Sequence, residues 1–270
     1  MYLEPKGMMG GFYKITEWIM RISGSNLLWI ICASPFLFFP VTWLFAPTAD
    51  KEVLGSQTLF FMAILAPFTL FPATAALFSV TRKWVMGEGD VGIIKTYFKG
   101  YKENYKQSFL GGIFYTLLIA IMIIDYRVYM NQFKNLQLLG LIMLVFLIVL
   151  FVSLFNFFGL VAHYHLKVSI LLKNSILLTI INPFRVLSTV LCTVVLGFLT
   201  YRFGWLILFG FVSLTAYVAF YNFYIGHNKL QEKVQRMREA EEQKAEDSET
   251  ENSDIVENND KVETPKLDNK

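Results

Sequence analysis

The chain has 270 residues, 55% of them hydrophobic and 16% aromatic, with 17% charged and a mean hydropathy of +0.48. Long uncharged runs at this composition exclude an ordinary soluble domain and point to a membrane-embedded chain. The net charge of +3 is unevenly divided: residues 1–228 carry 16 Lys/Arg against 8 Asp/Glu, and residues 229–270 carry 8 against 13. Because the basic charges flank apolar runs instead of covering a soluble face, nucleic acid is excluded as a partner.

In chain order, residues 1–10 form a short lead, and Gly11–Ile22 reads as an amphipathic helix. Phe12, Ile15, Ile19 and Ile22 make its apolar stripe, Lys14, Glu17 and Arg21 the opposite one, and Trp18 suits the interfacial zone. Leu27–Ala46 is long enough to span a bilayer and is read as a retained first span, since no small-residue cleavage pattern marks a signal peptide. Pro35 and Pro40 predict a kink or unwinding within it. A second span, Thr58–Val80, carries Pro67 and Pro72. The motif Phe71-Pro72-Ala73-Thr74-Ala75-Ala76 inside it offers small residues for close helix packing, and so a candidate face for a partner or for self-association.

The segment Ile94–Lys106 has two stripes, Lys95, Lys99, Lys102 and Lys106 beside Ile94, Phe98, Tyr101 and Tyr105, each spaced 4, 3, 4. Both fit a helical period about 100° apart, which predicts a helix lying in a membrane surface with its lysines on anionic headgroups. Ser108–Ile124 is the third span, followed by a polar loop with Asn131, Gln132 and Lys134. Leu136–Val161 is the fourth span, ending at His163-Tyr164-His165-Leu166-Lys167. Lys167–Asn182 reads as a weaker surface helix, with a seventh span as the alternative. Phe184–Thr200 and Gly204–Tyr224 are the fifth and sixth spans, and Arg185 is a candidate lipid contact. After residue 228, Asn228–Lys244 could prolong the last helix. From Ala245 the acidic composition predicts disorder.

The architecture implied is an all-α, polytopic membrane bundle of about six transmembrane helices with amphipathic surface helices. A unit of surface helix, span, short loop and span recurs three times, entering its first span at Asn26, Ser108 and Pro183, which suggests a threefold repeat of helical hairpins. With both termini cytoplasmic, and leaving aside the tail beyond Arg238, 16 Lys/Arg fall inside and 4 outside (Lys51, Arg127, Lys134, Arg202), in keeping with the positive-inside rule. Trp29, Trp43, Trp84 and Trp205 fall near span ends as an aromatic belt would.

At Gly10-Gly11-Phe12-Tyr13, Asn26-Leu27-Leu28-Trp29, Phe71-Pro72-Ala73-Thr74 and the basic–aromatic stretch from Arg82, the chain resembles the YesL-like family of bacterial integral membrane proteins. The resemblance covers roughly residues 8–225 and implies a domain of unknown function, encoded near carbohydrate uptake systems. The acidic tail departs from the family pattern.

No residue set points to chemistry. His163 and His165, two apart on a helix, face about 200° from each other and cannot share a metal. Gly87-Glu88-Gly89-Asp90 reads as a turn, since its carboxylates would repel a phosphate. No nucleophile, zinc or dinucleotide fingerprint occurs, so no catalytic residue, cofactor or metal is expected. Cys32 and Cys192 read as buried thiols and Asn156 as a helix-to-helix hydrogen bonder. The interiors of the spans, away from their ends, carry no Asp, Glu, Lys or Arg, which disfavours an ion-coupled carrier. The reading is therefore a non-enzymatic accessory component of a membrane transport or sensor complex, in a bilayer with anionic lipids and linked to carbohydrate uptake. A small-solute carrier or channel using the Pro-rich first hairpin is the alternative, and a membrane enzyme acting on lipid or glycan is third.

Overall fold

The computed structural model describes residues 8–131 and 136–262, with side chains described over 11–131 and 136–244. The described residues form helices α1 (Met8–Leu44), α2 (Lys51–Leu65), α3 (Phe71–Val85), α4 (Ile93–Asn131), α5 (Gln137–His163), α6 (Val168–Ile181), α7 (Pro183–Arg202), α8 (Leu206–Phe209) and α9 (Phe211–Val262). A π-helical turn at Ala66–Leu70 joins α2 to α3. Among the described residues, five helical segments are long and apolar enough to cross a membrane: Gly11–Leu44, Thr48–Val85, Ile93–Asn131, Gln137–His163 and Pro183–Arg202. The predicted loop residues Gln132 and Lys134 and most of the N-terminal lead lie outside the described residues.

The chain divides into two compact units, Met1–Tyr224 and Ile225–Lys270. In the second unit, α9 continues as helix to Val262, where composition predicts disorder from Ala245. Extending an existing helix carries no nucleation penalty, and the Gln-, Glu-, Lys- and Arg-rich turns of Asn228–Lys244 are good helix formers.

The first unit is a series of hairpins, α1 with α2–α3, α4 with α5, and α7 with α8 and the start of α9. Two predicted surface helices are corrected here. Gly11–Ile22 is the first part of α1, and Ile94–Lys106 is the first part of α4; each runs unbroken into the span that follows. At 1.5 Å per residue, the 37 residues of α1 and the 39 of α4 are roughly 55 and 58 Å long, against about 30 Å of hydrocarbon. Set across a bilayer, a continuous helix of that length would project beyond the apolar layer. No proline separates the amphipathic half from the apolar half in either helix, so nothing stops the hydrogen-bond ladder.

Proline acts differently at different positions. Pro35 and Pro40 sit inside α1 without interrupting it. Pro35 lacks the N–H that would bond the Ile31 carbonyl, and the Ser34 hydroxyl donates to that oxygen instead at 2.8 Å. Pro67 falls within the π-helical turn, where the ladder widens around the missing donor.

The core centres on α3. In the segment that contains it, 39% of the most apolar window is buried, against 6% for α7. Phe71, Phe78, Tyr115, Phe157 and Phe158 form its aromatic centre, with ring centroids 5.3–6.4 Å apart for Phe71–Tyr115, Phe71–Phe158, Phe78–Phe158 and Tyr115–Phe157. α6, read as a surface helix, is 14 residues long, or about 21 Å, too short to span. It tucks against the bundle through the buried residues Leu171, Ser175, Leu178 and Thr179.

Candidate functional site: helix contacts and a cavity at the loop end

The motif Phe71-Pro72-Ala73-Thr74-Ala75-Ala76 lies at the centre of the fold. Ala73, Ala75 and Ala76 are 0% exposed, and Phe71 and Pro72 are also buried. The small-residue face is therefore filled by the chain's own helices, which corrects its reading as a surface for a partner. Thr74, half-buried, accepts a hydrogen bond from the Trp29 indole at 3.0 Å.

Opposite α3, α4 presents a third stripe that its two conspicuous ones conceal: Tyr97, Gly100, Asn104, Ser108, Gly111, Gly112 and Tyr115, all buried. Tyr97 donates its hydroxyl to the Ala73 carbonyl at 3.0 Å, and Asn104 donates to the Ser79 hydroxyl at 3.0 Å. The glycines permit close approach. A Cβ on Gly100 would stand 2.6 Å from the Ser79 Cβ, and one on Gly112 would stand 2.9 Å from the Pro67 Cα in the π-helical turn. Lys95, Lys99, Lys102 and Lys106 are exposed, as are Ile94, Phe98 and Tyr105, while Tyr101 is half-buried. The apolar stripe thus lies outside the bundle, and the inward face of α4 carries small and polar groups between Tyr97 and Tyr115.

Several polar side chains inside the apolar helices bond to side chains of neighbouring helices. Tyr115 bonds Ser153 of α5 at 3.0 Å and Ser175 of α6 at 2.8 Å. Asn156 of α5 donates to Thr179 of α6 at 2.8 Å, and Asn222 donates to Thr189 of α7 at 3.0 Å.

The most connected of these groups is Asn26, fully buried in α1. The predicted span Gly204–Tyr224 is broken at Gly210 into α8 and the start of α9, and Asn26 closes the break. Its amide nitrogen donates to the Ile207 and Leu208 carbonyls at 2.9 and 2.7 Å. Its carbonyl oxygen accepts the Val212 and Ser213 N–H groups at 3.0 and 3.2 Å. One side chain thus satisfies the free carbonyls of one half-helix and the free N–H groups of the next. The Ser25 hydroxyl adds a bond to Ser213 at 2.9 Å.

At the basic end, Arg82 donates to the Ala162 carbonyl at 2.9 Å, Lys83 pairs with Glu88, and Arg21 pairs with Glu17 and Asp90. Gly87 turns the chain there at φ +86°, so Gly87-Glu88-Gly89-Asp90 is a turn held by two ion pairs. Trp18, 39% exposed, packs edge-on to Trp84 and Tyr217 at 5.6 and 6.1 Å. Arg185 is half-buried near the start of α7. Trp29 and Trp84 are buried, so of the four predicted belt tryptophans only Trp43 and Trp205 are exposed.

At the opposite end an open cavity of about 950 Å³ lies between the α1–α2 turn and the end of α4. Pro40, Leu59 and Met62 give it apolar walls, Trp43 an aromatic one, and Lys51, Glu52 and Arg127 its charges. Neither hydropathy nor any motif marks this site, because its residues come from three separate helices.

Comparison with known proteins follows the same pattern. Residues 22–126 match the family described as "Protein of unknown function, DUF624". The uncharacterized protein YteU of Bacillus subtilis (strain 168) is 31% identical over 215 residues, covering 80% of this chain and 84% of that protein. The uncharacterized protein YesL of the same organism is 25% identical over 173 residues, covering 64% of this chain and 68% of that one. No solved structure matches. The matched region takes in Asn26, Trp29, the α3 motif and the buried stripe of α4, and the chain belongs to the DUF624 family of YesL-like proteins.

Proposed function

We propose that this protein is a non-enzymatic, multi-pass component of the cell membrane, with both termini cytoplasmic, that serves a carbohydrate uptake system or its regulation by binding other membrane components. One observation carries the binding role. The polar side chains within the apolar helices, Asn26, Tyr115, Ser153, Asn156, Ser175, Thr179 and Asn222, all bond to neighbouring helices, so they hold a scaffold together. The carbohydrate link comes from the family resemblance, and the orientation from the excess of Lys/Arg at one end. With the α3 face filled, the surfaces left for a membrane partner are the exposed apolar sides of the outer helices. α7 is foremost, with Leu187, Leu191, Val194 and Phe198 62–70% exposed. The test is co-purification from native membranes in a gentle detergent. Stoichiometric recovery of uptake or sensor proteins is expected, and recovery of the chain alone would count against the role.

A carrier or channel is the second reading. It is favoured by two discontinuities in apolar helices, the π-helical turn at Ala66–Leu70 and the break at Gly210. Discontinuous helices supply backbone sites in transporters. Substrate-dependent sugar flux by the purified protein in liposomes would put this reading in place of the first.

A further inference from the structure

We infer that the cavity between the α1–α2 turn and the end of α4 binds an anionic amphiphile. Its charged head lies between Lys51 and Arg127, and its apolar part lies along Pro40, Leu59 and Met62. The inference needs the helices to sit in a bilayer, and it does not depend on the accessory role.

The cavity is built around a fixed indole. Trp43 Nε1 donates to the Lys51 carbonyl at 3.1 Å, Lys51 Nζ stands 5.4 Å from the ring centroid, and a Cβ on Gly55 would touch Nε1 at 3.4 Å. Lys51 is thereby held over the ring, its ammonium at the rim. Arg127 supplies a second cation from α4. Among the described residues neither cation is in an ion pair, and Glu52 is the one carboxylate in the lining, so the lining residues carry a formal net charge of +1.

Shape and surroundings select the ligand. A volume of about 950 Å³ is far larger than a single inorganic anion needs and is at the upper end for organic ligands. Apolar walls would leave a wholly hydrophilic solute in poor contact, whereas a charged head on an apolar body satisfies both halves of the lining. The neighbouring surface is apolar as well: Val53 is 65%, Leu59 45% and Phe60 62% exposed. Trp, Lys and Arg beside such a surface are the residues that sit at headgroup depth. The site lies at the end opposite the lysine stripe of α4, so it is separate from any headgroup contacts made there.

The full-length protein in a nonionic detergent, titrated with phosphatidylglycerol and followed by native mass spectrometry, tests the inference. The parent should retain one phosphatidylglycerol that Lys51→Gln/Arg127→Gln does not. Each cation near such a head contributes about fivefold, so the double variant should bind roughly 25-fold more weakly. Glu52→Gln should tighten retention by about fivefold, which keeps the test decisive if the double variant folds poorly. Lys102→Gln/Lys106→Gln, at the other end, should leave this lipid in place. Equal retention by parent and double variant, or equal retention of phosphatidylcholine, would overturn the inference. Displacement by millimolar inorganic phosphate would also overturn it, by making the cavity a site for soluble anions.

Discussion

Replacing Asn26 removes four hydrogen bonds at once. The amide holds the Ile207 and Leu208 carbonyls and the Val212 and Ser213 N–H groups, and Asn26 is fully buried. At the average of about 0.6 kcal/mol for a side-chain bond between membrane helices, the loss is about 2.4 kcal/mol. If each stranded group instead costs about 1.5 kcal/mol, it is about 6 kcal/mol. Two variants separate bonding from packing. Asn26→Leu keeps the branched outline and the number of heavy atoms and removes all four bonds. Asn26→Asp keeps the shape and the acceptor but sets a second oxygen where the donor faced two carbonyls, so it should be no better than Leu. Unfolding free energy measured by denaturant titration in mixed micelles, with helicity as the probe, should fall by about 2–6 kcal/mol in both. If Asn26→Leu stays within about 0.5 kcal/mol of the parent, the break at Gly210 does not depend on the Asn26 amide and the reasoning fails.

The α3–α4 seam gives a second test: Gly112→Ala sets a Cβ 2.8 Å from the Phe71 ring and 2.9 Å from the Pro67 backbone and should destabilise by about 1–3 kcal/mol. Gly197→Ala, which meets nothing within 4 Å, should be neutral or slightly stabilising in the same titration. Tyr115→Phe should lower stability by only about 0.5–1.5 kcal/mol, because Ser153 and Ser175 keep their bonds to the Leu150 and Leu172 carbonyls. Its effect should be less than additive with Ser175→Ala in a double-mutant cycle. Replacing Lys95, Lys99, Lys102 and Lys106 by Gln should leave stability unchanged and lower the preference of the reconstituted protein for anionic over neutral lipid, by up to about 1 kcal/mol per residue.

The helices and their hairpin order were legible because apolar runs of 17 to 26 residues leave few alternatives for a backbone that must satisfy its own polar groups. Which face of each helix points inward was not legible. In water, the stripe Ile94, Phe98, Tyr105 would mark a core; in lipid, burying apolar side chains has no hydrophobic drive, and close packing and hydrogen bonds decide which face turns inward. The buried stripe Tyr97, Gly100, Asn104, Ser108, Gly111, Tyr115 has a clean helical spacing, and a search for small and polar residues at that period would have found it. The Ala73–Ala76 face was visible by that rule, but whether a partner or the chain itself fills it depends on tertiary structure. Asn26 stood out as part of a family motif, yet its bonds reach residues 181 to 187 positions away, beyond any local pattern. The continuity of α1 and α4 was missed because amphipathic and apolar halves were read as separate elements although no breaker divides them.

The long helices should cross a bilayer with the Arg82–Gly92 turn on the cytoplasmic side and the α1–α2 turn on the other, and cysteine labelling tests this most directly. In a background lacking Cys32 and Cys192, single cysteines at Glu88 and Asp50, both exposed, are probed with a membrane-impermeant thiol reagent. Asp50→Cys should label in intact cells, and Glu88→Cys only after permeabilisation. Labelling of both in intact cells would contradict a bundle that spans the membrane between these two turns, and labelling of Glu88→Cys alone would reverse its orientation.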